Sequence, residues 1–172
     1  MSRVAWRIQQ GCVGSGWTLA VAESCTGGLI THQLTNVPGS SRYVLLAVVA
    51  YHDAAKVHLL RVPQRLLRRH GAVSASVVRR MAQGVWRVAG ATFGLAVTGI
   101  AGPMGGTPRK PVGTVYIAIA SARRTWTFYH HFRGSRLQIK RQAAETALRH
   151  LFICVQRQAL ARPGRAGGVR SP

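Results

Sequence analysis

Residues 17–28, WTLAVAESCTGG, decide the architecture. A short apolar run closes on Glu23 and breaks into a turn holding two adjacent glycines, Gly27 and Gly28, which is how a buried strand hands over to a helix. The helix is read from Ser24, with Leu29, Ile30, Gln33 and Leu34 marking its faces and Val37-Pro38-Gly39 closing it. The same alternation repeats downstream. Residues 44–51 (VLLAVVAY) read as a second strand, apolar throughout and therefore covered on both faces. Residues 54–60 and 63–70 read as short helices, and residues 75–89 as a longer one capped by Ser74, with Val77, Val78, Met81, Val85 and Val88 at helical spacing. Residues 93–98 (FGLAVT) form a third strand running into the glycine-rich loop 99–106. Residues 113–120 (GTVYIAIA) and 125–132 pair as an antiparallel hairpin through 121–124. Ser135-x-x-Gln138 is a capping box opening the last helix, where Ala144, Leu148, Leu151 and Val155 share a face.

Strands alternating with helices predict a three-layer α/β/α sandwich with a mostly parallel sheet. At 172 residues the chain makes one domain, expected over 1–160, followed by a disordered basic tail over 161–172 where Pro, Gly and Arg dominate. No run reaches the ~20 apolar residues of a membrane span, and the first dozen residues hold no signal-peptide core, so a cytoplasmic protein with no membrane partner is expected. Three cysteines without C-x-x-C spacing argue against a disulfide framework and a zinc site, and predict reduced thiols.

The balance of 24 Lys and Arg against 3 Asp and Glu gives +21, which fits non-specific affinity for nucleic acid. The positive charge is almost all Arg, scattered from Arg3 to Arg170 rather than blocked into an arm, as compositional drift also produces. The exceptions are therefore informative. Only Glu23, Asp53 and Glu145 are acidic, too few for a multi-carboxylate metal site. Only Lys56, Lys110 and Lys140 escape replacement by Arg, and a lysine can do what a guanidinium cannot: give up its proton.

In open α/β sheets ligands bind beyond the carboxyl ends of strands. Three polar turns, residues 23–28, 51–56 and 98–106, fall there and converge on one site. Ser24 at a strand-to-helix turn points its hydroxyl into the crevice beside helix N–H groups able to stabilise an oxyanion; the competing role is a plain N-cap. Cys25 is the neighbouring nucleophile or a small buried residue. Lys56, if desolvated, is a base to Ser24, the Ser-Lys variant of nucleophilic catalysis, and otherwise a solvated amine. Tyr51 lies about one helical turn away. The loop from Thr98 and Gly99 fits neither the P-loop nor the dinucleotide-binding pattern and reads as a backbone nest or a tight connection. Arg136, Lys140 and Arg141 stand where they can clamp a phosphate.

AESCTGG (22–28), VPGSS (37–41), YHDAAK (51–56), HGAVS (70–74), TGIAGPMGG (98–106) and KPVGTVY (110–116), in that order, resemble the CinA C-terminal domain family over about residues 17–151. The resemblance implies a three-layer sandwich with a mixed five-stranded sheet. It also implies hydrolysis of the carboxamide of nicotinamide mononucleotide to nicotinate mononucleotide and ammonia, with no metal or cofactor. Carried onto this chain, it makes Ser24 the nucleophile, Lys56 the base and Tyr51 a catalytic neighbour. Thr26, Gly27, Ser41, Thr98 and Gly99 then line the substrate site, and Arg136, Lys140 and Arg141 contact the phosphate. A homodimer is the family expectation. The alternative is a catalytically silent protein binding a nucleotide or nucleic acid. Against the family's usual motifs, His52, Asp53 and Ala54 stand in place of Ser-Asn-Glu, Met104 in place of a glycine and Ser135 in place of an acid. A carboxylate at Asp53 close to Lys56 favours the ammonium and slows a lysine base; Met104 narrows the pocket.

Overall fold

The computed structural model describes residues 2–160, so the basic tail expected over 161–172 lies outside the described residues. From the amino end the chain forms α1 (Arg3–Ser15), β1 (Leu19–Glu23), α2 (Leu29–Thr35), a 3-10 turn (Ser40–Arg42) and β2 (Val44–Val49). It continues through α3 (Asp53–Leu60), α4 (Gln64–His70), α5 (Ala75–Ala89), β3 (Phe93–Gly99), β4 (Thr114–Ala120), β5 (Thr125–His131) and α6 (Arg136–Leu160).

The strands make one sheet in the order β2-β1-β3-β4-β5. β1 pairs parallel with β2 and β3, whereas β3–β4 and β4–β5 are antiparallel. The sheet is therefore evenly mixed and not mostly parallel as expected. The reason is local: the loop after β3 returns directly into β4 without a crossover helix, and the four-residue turn after β4 forces a second reversal. The path β1–α2–β2 leaves β1 on one side, and α3–α5 carry the chain back to β3 on the other. That reversal opens a crevice at the carboxyl end of β1.

The two faces of the sheet are unequal. Leu19 and Val21, Phe93, Leu95 and Val97, and Val115, Ile117 and Ile119 project toward α1, α2 and α6 and pack with Ile8, Leu34, Ile139 and Leu148. Each such buried side chain contributes about 1.5–3 kcal/mol. The opposite face offers Ala20, Ala22, Ala96, Ala118 and Ala120 to α3–α5. These small residues let α5 approach closely. A Cβ at Gly94 would collide with the Ala82 carbonyl, and one at Gly84 with the Leu60 carbonyl.

Three further expectations change. β2 is an edge strand with alternating burial, leaving Leu45 and Val49 half-exposed, so its unbroken apolar run does not signal coverage on both faces. α2 begins at Leu29, not at Ser24. The sequence reading contains no α1, whose buried stripe Ala5, Ile8 and Cys12 is made of two small residues and one large one and is interrupted by Gly11. That glycine has a packing reason, since a Cβ there would stand 2.8 Å from Val155 of α6. The hairpin, the Ser74 cap on α5 and the capping box of α6 form as read. Val77 N–H donates to Ser74 Oγ, and Ser135 N–H donates to Gln138 Oε1 at 2.7 Å. No helix among the described residues is long and apolar enough to cross a membrane.

Candidate active site

The site is organised by Glu23, the last residue of β1. Its carboxylate is fully buried and accepts the N–H groups of Gly28 (2.9 Å), Ile30 (3.2 Å) and Thr31 (2.8 Å) and the Thr31 hydroxyl (2.7 Å). An anion with four hydrogen bonds at the start of α2 is compensated by charge-assisted bonding and by the helix dipole. Two consequences follow. Glu23 caps a helix that starts five residues beyond Ser24, so Ser24 is no N-cap and lines the crevice. The helix N–H groups expected to serve as oxyanion donors are already occupied, which removes them from that role. Gly27 and Gly28 close the turn at φ 60° and 95°.

α3 supplies the second wall. His52 caps it, its Nδ1 accepting the Ala54 N–H at 3.2 Å. Lys56, one turn into the helix, is 1% exposed and folds back, donating from Nζ to the Tyr51 carbonyl at 2.9 Å and to Asp53 Oδ1 at 3.1 Å. Asp53 is half-exposed, so this ion pair has one face in water and one in protein. Lys56 and Ser24 line the same cleft, but among the described residues the hydrogen bonds of the lysine go to Tyr51 and Asp53 rather than to the serine.

The third wall follows β3. The Thr98 hydroxyl donates to the Ala72 carbonyl at 3.1 Å, bringing Ala72 and Val73 to the cleft. Gly99 has no room for a side chain, with Val115, the Thr114 carbonyl and Cys25 Sγ 2.7–3.0 Å from where a Cβ would be. Burial pushes the Cys25 thiol up to about 12, with the Glu23 charge adding to the rise and Lys140 and Arg136 drawing it down. Cys25 lines the cleft beside Ser24, and a thiol held protonated attacks less readily than a thiolate, which fits a small buried residue. Arg136, at the start of α6, donates to the Gly102 carbonyl (2.6 Å) and the Tyr51 hydroxyl (2.8 Å), tying two walls together across the mouth. The cleft, open to solvent at its mouth, measures about 270 Å³.

The structure thus brings Ser24, Tyr51, Lys56, Thr98, Gly99 and Arg136 to one cleft. Gly27 and Lys140 pack on each other beside it, Lys140 Nζ lying 3.3 Å from where a Gly27 Cβ would be. Thr26 is fully buried and does not line the cleft. Arg141 is exposed and outside it. Ser41 sits in the 3-10 turn before β2, at the amino end of the parallel strands, and is separated from the site by the length of β2. Met104 lines the rim with 85% of its surface in solvent, so it does not narrow the pocket. Sequence reasoning missed Glu23 as the anchor of the turn, although its rarity was a signal, and missed Ala72 and Val73, which carry no chemical group to find. Among the described residues, no three His, Cys, Asp or Glu cluster as metal ligands.

A family model, the CinA C-terminal domain, matches residues 1–155. CinA-like proteins of Desulfotalea psychrophila and Geobacter metallireducens are 52% and 54% identical over 141 and 134 residues, 82% and 78% of this chain. These alignments cover 34% and 32% of the relatives, so the chain spans about a third of their length. Two crystal structures match with TM-scores of 0.86. One is a competence-damaged protein (CinA) superfamily protein from Klebsiella pneumoniae, 32% identical, covering 90% of this chain and 96% of that one. The other is the competence/damage inducible protein CihA from Agrobacterium tumefaciens, 37% identical, covering 89% and 93%.

Proposed function

Since the chain belongs to the CinA C-terminal domain family, we propose that it is an amidohydrolase converting nicotinamide mononucleotide to nicotinate mononucleotide and ammonia through Ser24 and Lys56. The observation that carries this is a fully buried lysine lining the same cleft as a serine that stands outside the helix Glu23 caps. Lys56, as the free amine, takes the Ser24 proton; Ser24 Oγ attacks the amide carbon; the tetrahedral intermediate collapses with protonation and loss of ammonia; and water hydrolyses the ester. Tyr51, positioned by Arg136, is the second group able to pass a proton to the leaving nitrogen. Arg136 and Lys140 supply the positive field for the phosphate, both being close enough to act on the Cys25 thiol next to Ser24. Arg141 joins them only if the substrate extends past the mouth.

Ammonia release from nicotinamide mononucleotide tests the proposal. A folded Ser24→Ala protein is expected to lose at least about a thousandfold in kcat, and Lys56→Arg to be similarly impaired because a guanidinium stays charged. Equal turnover by parent and Ser24→Ala overturns the mechanism. The Asp53–Lys56 ion pair favours a second reading, a binding protein whose lysine is held as a cation. Asp53→Asn separates the two: severalfold faster ammonia release supports the amidase, and nucleotide binding without turnover in both proteins supports the silent relative. A homodimer is the accompanying expectation, checked by light scattering.

A further inference from the structure

The three carboxylates of the chain are all spent internally: Glu23 on backbone N–H groups, Asp53 on Lys56 and Glu145 on Arg149 at 2.5 Å. Arginines elsewhere must find their counter-charge outside the protein, and at one recess outside the cleft three of them converge. At the end of the sheet opposite the cleft, the β4–β5 turn presents Arg123 and Arg124, and the last turns of α6 present Arg157. With Trp126 and Gln158 they surround a recess of about 90 Å³.

The recess is built, not incidental. Ser121 N–H donates to the Arg124 carbonyl at 2.9 Å and the Arg124 N–H donates to Ser121 Oγ at 3.5 Å, fixing the turn. The Arg124 guanidinium lies over the Trp126 ring, 5.5 Å from its centroid, which orients the group. Burial pushes the Cys154 thiol of α6 up to about 11, and Arg157 and Arg124 both draw it down, so the two guanidinium groups act on one spot. Arg79, reaching from α5 on the other face of the sheet, donates to the Thr125 carbonyl at 3.1 Å, one residue along from Arg124. Among the described residues no carboxylate pairs with Arg123, Arg124 or Arg157. Like charges converging on a recess of this size call for an anion, and guanidinium forks match phosphate.

We propose that Arg123, Arg124 and Arg157, set around Trp126, dock the phosphate backbone of single-stranded nucleic acid. A polymer is favoured over a free phosphate because Arg79 extends the positive surface beyond the recess and the whole chain carries +21. A flexible single strand can bend a phosphate into a narrow recess lined by guanidinium groups. The site is separate from the proposed amidase chemistry.

Fluorescence anisotropy of a labelled oligothymidylate, titrated over a range of salt, tests the proposal. The parent is expected to bind with an affinity that falls steeply with salt. The double variant Arg124→Gln/Arg157→Gln is expected to bind at least about tenfold more weakly, with a log–log salt slope shallower by about 2. A control of equal charge loss on α4, Arg65→Gln/Arg69→Gln, should lose less than about threefold if the site is local rather than a share of total charge. Equal loss in both double variants overturns the proposal. So does thermal stabilisation by inorganic phosphate, abolished in Arg124→Gln/Arg157→Gln, without oligonucleotide binding, because the site then serves a small phosphate ligand. Ammonia release should be the same in the parent and in Arg124→Gln/Arg157→Gln.

Discussion

Glu23 illustrates how one side chain serves stability and function together. Its four hydrogen bonds run to N–H and hydroxyl groups at the start of α2, of which the Ile30 N–H is buried and the others half-buried. Glu23→Ala leaves the buried Ile30 N–H without an acceptor and strips the half-buried donors of theirs, and is expected to cost about 3 kcal/mol, read as a lower urea midpoint. Glu23→Gln keeps an acceptor but turns an amide toward N–H groups, and should fall between the two. Because the carboxylate shapes the turn carrying Ser24, either change should lower kcat by more than it lowers the fraction of folded protein. Lys56 was legible in the sequence as one of three lysines among 21 arginines. Its burial was not, because burial of α3 depends on α5 packing over Leu60, far along the chain. Ser41 shows the opposite failure: its motif was legible, and its place at the amino end of the sheet removes it from the cleft of the same chain.

Between elements, β5 and α6 are joined by a pair of imidazoles. His130 Nε2 and His150 Nε2 are 2.9 Å apart, and His150 stacks on Phe128 with ring centroids 3.8 Å apart. Burial, followed by the neighbouring His130, lowers His150 from 6.5 to about 4, and burial lowers His130 as well. The folded state therefore holds both rings neutral where the unfolded chain would take up protons. Their contribution to stability is fully present above about pH 6.5 and is lost as the pH falls toward 4. Urea midpoints measured from neutral pH down to about pH 4 should decline, and His150→Phe, which keeps the stacked ring without the titrating nitrogen, should flatten the decline. Nothing in the sequence pairs these histidines, because residues 20 positions apart meet only when α6 lies across β5. The boundaries of α5 and the capping box of α6, by contrast, were legible because caps are local chemistry.

Across the whole molecule, +21 on a chain whose carboxylates are all engaged means that the folded state repels itself. Raising sodium chloride from ~0.02 M to ~0.5 M should raise the thermal midpoint by screening that repulsion. No change, or a fall, would show the charges too dispersed to matter. The α/β/α layering and the convergence of three turns at one end were determined by the sequence alone. Apolar periodicity, glycine-bearing turns and caps act over a few residues and hold in any packing. The balance of parallel and antiparallel pairs, the open face of β2, the start of α2 at Leu29 with Glu23 bound to its first N–H groups, the engagement of Lys56 by Asp53 and the gathering of arginines at the far end were decided only by the tertiary structure. Each depends on which surface is left uncovered, or which charge is brought close, once distant segments have packed.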